Sequence, residues 1–157
     1  MVSSVTLTNK YGDPSNNTQD WAKQNLHMWQ LPALIHLAIP ELPARIYTHK
    51  KFSPILERWL TALVKSGVAH EINTYDGCWN VRKKRGLSSL SIHSWAMAID
   101  FNASHNPLGL TDAQCKARGL VPFTPEFIAA SRPHVDCGAD WKKRPDWMHF
   151  QIKAQDI

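Results

Sequence analysis

Cysteine is scarce in this chain of 157 residues: Cys78, Cys115 and Cys137 are the only three. They cannot all pair with one another and none forms a Cys-x-x-Cys, so they read as reduced thiols of a protein that folds in the cytoplasm, where disulfides are rare. As nucleophiles they are weak, since Cys78 sits beside the aromatic Trp79 with no local His dyad and reads as packing. Long apolar runs are missing too. The most apolar stretch, Leu31 to Ile39, is short and broken by Pro32 and His36, well below the roughly 20 residues that cross a bilayer. The start, Met1-Val2-Ser3-Ser4-Val5-Thr6, has no basic segment and no apolar core of a secretory leader. There is no internal repeat and no low-complexity tract. No recognised nucleic-acid-binding motif accompanies the basic residues, and nothing looks like the paired carboxylates of a glycosidase.

What is present fits one small α+β domain spanning residues 1–157, with 43% apolar residues to build a core. Lys and Arg number 18 against 13 Asp and Glu, a formal net charge of +5, with a pI near 9.2. That balance favours anionic partners. The clusters Arg82-Lys83-Lys84-Arg85 and Lys142-Lys143-Arg144 concentrate it.

The chemistry-bearing run is Ser91-Ile92-His93-Ser94-Trp95-Ala96-Met97-Ala98-Ile99-Asp100, answered about fifty residues later by Asp146-Trp147-Met148-His149. Two imidazoles and two carboxylates flank strand-like apolar segments. A hydrolytic zinc takes three nitrogen or oxygen ligands and keeps one position open, so His93, Asp100 and His149 make a His₂Asp set with Asp146 left over as a base. Met97 to Asn102 alternates, sending Met97, Ile99 and Phe101 one way and Ala98, Asp100 and Asn102 the other. Trp147 to Gln151 repeats the pattern, with Met148 and Phe150 inward and His149 outward. Asp146 stands three residues before His149, the opposite face of a regular strand, so a bend near Pro145 is expected. The remaining histidines have no partner at ligand spacing, although His134 is near enough in sequence to the second motif to sit at the rim.

Ser-x-His-x-x-x-x-Ala-x-Asp followed by acid-x-x-His is similar to the signature of the zinc D-alanyl-D-alanine peptidases and L-alanyl-D-glutamate endopeptidases, which cut bacterial peptidoglycan peptides. The resemblance extends to Lys10-Tyr11-Gly12-Asp13-Pro14, to Thr74-Tyr75-Asp76-Gly77-Cys78 and to Arg82 and Arg85-Gly86, and it looks most like the phage endolysin branch. It implies a D-Ala-D-Ala metallopeptidase (hedgehog-like) fold, one Zn²⁺ per chain on His93, Asp100 and His149, Asp146 as catalytic base, and Arg82, then Arg85, as the cation that stabilises the reacting carbonyl. Ser91 and Asn102 are candidates for orienting the ligands. The family usually has Gly where Ala96 stands, so a backbone that needs positive φ there is a specific question. The implied substrate is peptidoglycan, with no nucleic acid, no membrane insertion and a monomeric enzyme. The missing leader fits a lysin held in the host cytoplasm until a holin pore releases it, and no separate cell-wall-binding domain is visible. Two rivals are a D-alanyl-D-alanine carboxypeptidase with the same zinc site and an inactive zinc-containing binding or phage structural module, against which an intact Asp146 argues.

The expected elements are few. Residues 1–32 read as an irregular lead-in with a short helix around Thr18 to His27, and Ala44 to Thr48 as a strand. Ser53 as N-cap, Pro54 in the first turn and Gly67 at the end delimit a helix over 54–66. Strands are expected at Ala69 to Thr74, Met97 to Asn102 and Met148 to Ile152, and a helix from Thr124 to about Ser131. Helices against one small antiparallel sheet complete the expected α+β architecture.

Overall fold

The computed structural model describes residues 1–157. Its elements run α1 (Ser4–Tyr11), α2 (Thr18–Asn25), β1 (Leu26–Gln30), α3 (Ala33–Ala38), β2 (Arg45–His49), α4 (Ser53–Lys65), β3 (Tyr75–Gly77), β4 (Ala98–Phe101), α5 (Asp112–Ala117), α6 (Pro125–Ser131), β5 (Asp136–Cys137) and β6 (His149–Gln151). Short 3₁₀ turns lie at Ala69–Glu71, Ile92–Trp95, Gly138–Asp140 and Ala154–Asp156. Two antiparallel sheets form, a β1-β2 hairpin and a four-stranded sheet in the order β3-β4-β6-β5. The α+β class is as expected, with two small sheets in place of one.

Helix α4 supplies the main packing face. Ile55, Leu56, Trp59, Leu60 and Leu63 are buried, at the spacing of one helical stripe. Gly67 at φ +74° ends it, while Val68 N–H reaches back to the Leu63 carbonyl at 3.2 Å, the closure that favours glycine at this position. Ser53 does not cap the helix; it is the first helical residue, and its hydroxyl lies 2.8 Å from His27 Nε2. Trp59 packs 4.9 Å from Phe150 and donates its indole N–H to Ser131 Oγ at 3.0 Å. Truncating such a fully buried aromatic costs about 3–5 kcal/mol. Helix α6 closes the same face, with Thr124 accepting from Phe127 N–H and Pro125 in the first turn.

Register decides what the other face carries. β4 and β6 pair Ile99 with Phe150, Asp100 with His149 and Ala98 with Gln151. Because side chains alternate, Ile99, Phe101 and Phe150 meet the helices. Asp100, His149 and Gln151 therefore emerge together on the opposite face.

Two expected segments are corrected. Ala69 to Thr74 is a 3₁₀ turn and connector, with the strand beginning only at Tyr75. The reason is that side chains take up its backbone groups: Asn102 Nδ2 and Asn73 Nδ2 both donate to Glu71 O, and Asn102 Oδ1 accepts from the Asn73 and Thr74 amides. The lead-in is ordered, containing α1, α2 and β1, because Leu7, Trp21, Leu26, Trp29 and Leu31 are buried and tie it to the core. The broken apolar stretch folds as α3, and no helix is long and apolar enough to cross a membrane.

Candidate metal centre

His93 leaves the Ile92–Trp95 turn, and the chain then reverses through Ala96 into β4. Ala96 has φ +52° and ψ +36°, the left-handed region, so the positive φ expected of a glycine is adopted here by alanine. Its carbonyl is taken by the His49 amide at 3.2 Å and by Thr48 Oγ1 at 3.0 Å. This corner brings His93 back over Asp100. His93 Nε2 lies 3.1 Å from Asp100 Oδ1 and 3.2 Å from His149 Nδ1, and His149 Nδ1 lies 3.1 Å from Asp100 Oδ1. The three residues form one group able to hold a metal ion.

The hydrogen bonds behind them decide which atoms face inward. His93 Nδ1 donates to the Cys78 carbonyl oxygen at 2.9 Å, and a carbonyl can only accept, so Nε2 keeps its lone pair. His149 Nε2 sits 2.9 Å from Gln151 Oε1, which leaves Nδ1 free in the same way. Three acceptors thus converge within 3.2 Å of one another. Such a triangle needs a cation. A tetrahedral ion with bonds of about 2.0–2.1 Å has ligand–ligand edges of about 3.3 Å, close to what is found, so the donor set fits zinc in both chemistry and size.

Without the ion, a proton must serve. Burial pushes the Asp100 carboxyl up, but hydrogen bonds and charge from the protonated forms of His149 and His93 outweigh this and hold it well below the usual carboxylate range. Burial likewise opposes charge on His149, yet the Asp100 hydrogen bond and charge raise its pKa. Both shifts report one negative group with two imidazoles crowded around it.

Asp146 completes the site. Its amide donates to Gly138 O at 3.0 Å, and its carbonyl accepts from the His149 amide at 3.0 Å. That tight turn is the bend expected near Pro145, and it carries Asp146 round to the same cleft as His149. Burial raises the Asp146 pKa above the ordinary carboxylate value, and Oδ1 is buried without a hydrogen-bond partner. The cleft encloses about 340 Å³ and includes Arg82, Arg85, Arg144 and Trp141 on its walls. The two basic clusters meet there, with Arg144 Nη1 donating to Arg85 O at 3.1 Å. Arg85 adds its charge to those acting on Asp146. The backbone at Arg82 is locked by Ser94, whose hydroxyl accepts from its N–H and donates to its carbonyl, both at 3.1 Å.

Ser91 also lines the cleft, whereas the Asn102 side chain reaches the 71–74 connector and neither imidazole. Trp141 alone of Trp79, Trp95, Trp141 and Trp147 lines the cleft, its ring 5.2 Å from that of His149. Met148, expected to point inward, is half-buried in the cleft wall. His134 is no rim residue: it borders a separate, open groove along α4 with Arg58 and Lys65. Burial pushes the Cys78 thiol up to about 12, so it is inert at neutral pH. Its carbonyl, the Gln151 amide and Gly138 are site components that composition and motif spacing leave unmarked, and only the strand alternation from His149 to Gln151 points to one of them.

Neither the curated proteins nor the solved structures yield a match to the chain. Residues 84–152, the stretch that holds His93, Asp100, Asp146 and His149, match the family model described as D-alanyl-D-alanine carboxypeptidase, which supports a peptidase of that family.

Proposed function

We propose that this chain is a zinc metallopeptidase of the endolysin type, hydrolysing the L-alanyl-D-glutamate bond of bacterial peptidoglycan stem peptides. The observation that carries the reading is the convergence of His93 Nε2, His149 Nδ1 and Asp100 Oδ1 beside an unpartnered Asp146 oxygen in one cleft. One zinc per chain, when bound there, supplies a Lewis acid for the scissile carbonyl and lowers the pKa of water to about 7.

The chain's own groups do the rest. Asp146 accepts a proton at Oδ1 and returns it to the leaving amine, and its raised pKa suits a base working nearer to neutrality. Arg82 and Arg85 stand in the cleft wall, where a guanidinium stabilises the charge that builds on the carbonyl oxygen in the transition state more than it stabilises the neutral peptide. Trp141 offers an apolar wall for the peptide. Ser91 borders the ligands as a candidate for orienting them. On this reading residues 1–157 act as one catalytic domain and as a monomer, stored in the host cytoplasm and released to the wall at lysis.

Mass spectrometry of digested sacculi tests it. The expected product is a stem peptide with a new N-terminal D-glutamate and intact glycan strands. Asp146→Asn should keep zinc and lose kcat by roughly 10² or more, while Asp100→Asn should weaken zinc binding itself. Release of free D-alanine alone would move the assignment to a carboxypeptidase. A zinc-loaded protein that cuts nothing would make the domain a binding module.

A further inference from the structure

We infer that Gln151 is a positioning residue that sets the tautomer of His149 and so decides whether the His93, Asp100 and His149 cluster accepts a metal. The inference rests on the metal reading above and adds to it the side chain that makes the site selective for a cation over a proton.

Gln151 lies two residues after His149 on β6, on the same face, and is only 2% exposed. Its Oε1 is 2.9 Å from His149 Nε2. An amide oxygen only accepts, so this orientation keeps the proton on Nε2 and the lone pair of Nδ1 aimed at Asp100 and His93. The same orientation has a cost. Gln151 Nε2 is buried with no partner, and an unpaired buried amide group destabilises the fold.

The alternative is chemically definite. With the amide turned over, its NH₂ would donate to His149 Nε2, the ring proton would move to Nδ1, and Nδ1–H would donate to Asp100 Oδ1. The cluster would then be closed by hydrogen bonds and offer no His149 lone pair. His93 has no such freedom, because its Nδ1 is held by the Cys78 backbone carbonyl, which cannot turn over. The metal competence of the cluster therefore hangs on one amide. Partners of this kind, which fix the orientation and basicity of a ligating imidazole, change metal affinity by about 10- to 100-fold when removed.

Three proteins test it: the unaltered chain, Gln151→Met, which keeps the volume and loses the acceptor, and Gln151→Glu, which keeps an acceptor. The readouts are zinc affinity by chelator competition, melting of the metal-free protein, and the ¹⁵N shifts of the His149 ring in the metal-free protein at alkaline pH. Gln151→Met should bind zinc about 10- to 100-fold more weakly, carry its His149 proton on Nδ1, and melt within a few degrees of the unaltered chain, because the unpaired amide is gone as well. Gln151→Glu should restore most of the affinity. Equal affinities for Gln151→Met and the unaltered chain, or affinity and metal-free melting falling together, overturn the inference. An unaltered chain that binds no zinc removes the metal reading, and this inference with it.

Discussion

Gly138 is the least conspicuous residue near the proposed base, and replacing it by alanine should disable the site without touching a functional group. A Cβ built on Gly138 would lie 2.3 Å from the Asp146 carbonyl oxygen and 3.0 Å from the Asp146 Cβ. The first distance is about 1 Å short of ordinary contact, and the obstacle is backbone, so Asp146 must move. The turn cannot simply relax away, because Asp146 N–H is held by Gly138 O and the Asp146 carbonyl by the His149 amide. A misplacement of about 1 Å costs on the order of 10² in rate, and overpacking a buried position costs about 1–3 kcal/mol of stability. His149 is also fixed by its pairing with Asp100, so zinc affinity should change much less than turnover. Steady-state cleavage of a purified stem peptide, with zinc affinity and melting measured on the same sample, reads all three. The double variant with Asp146→Asn supplies the control, since a residue acting through Asp146 adds no further loss once that carboxylate is gone. Near-native kcat in Gly138→Ala, or losses that add in the double variant, would refute the reasoning.

Much of the site was legible because its residues sit on a strand pair. Alternation from Met97 onward and from Trp147 onward puts Asp100 and His149 on one face as soon as the two strands are neighbours, and the register makes them direct partners. The bend that carries Asp146 to the same side was foreshadowed by Pro145. The Ala96 corner shows where a motif departure misleads: the left-handed conformation is kept with alanine, fastened by His49 and Thr48 on its carbonyl. The ligand supports were less legible. A backbone carbonyl, such as that of Cys78, has no side-chain signature, so its contact with His93 follows only from the fold.

The fold was less evenly foreshadowed. Helix α4 announces itself by its stripe and by Gly67. The lead-in over residues 1–32 does not, because its polar stretches are rich in Asn, Asp and Gln and its apolar anchors, Leu7, Trp21, Leu26, Trp29 and Leu31, are spread over two helices, a strand and a connector with no common period. At Ala69 to Thr74 the expected strand is replaced by a turn and connector, from which Ile72 still buries itself. Side-chain amides satisfy that segment's backbone, a solution invisible to periodicity.

Two further outcomes are expected. Ala96→Gly should not stabilise the protein: relief of the left-handed conformation, about 1 kcal/mol, is offset by the loss of a fully buried methyl group, about 1 kcal/mol, and by the added freedom of the unfolded chain, about 0.4–1 kcal/mol. A rise in melting temperature of more than about 4 °C would contradict this. His49 should govern part of the acid sensitivity. It is buried, its ring 4.8 Å from that of Tyr11, and burial first, then Lys50, Lys51 and His27, lower its pKa from 6.5 to about 4. The unfolded chain therefore takes up a proton before the folded one does. Stability from the neutral ring is complete above about pH 6.5 and is lost as the pH falls towards 4, by up to about 3 kcal/mol. Urea unfolding of the chelated protein and of His49→Phe between pH 7 and 4 should give curves whose separation shrinks or reverses as the solution is acidified, because only the unaltered chain pays for that protonation. Curves that stay parallel across the whole range would mean that His49 remains neutral, or is equally protonated, in both states.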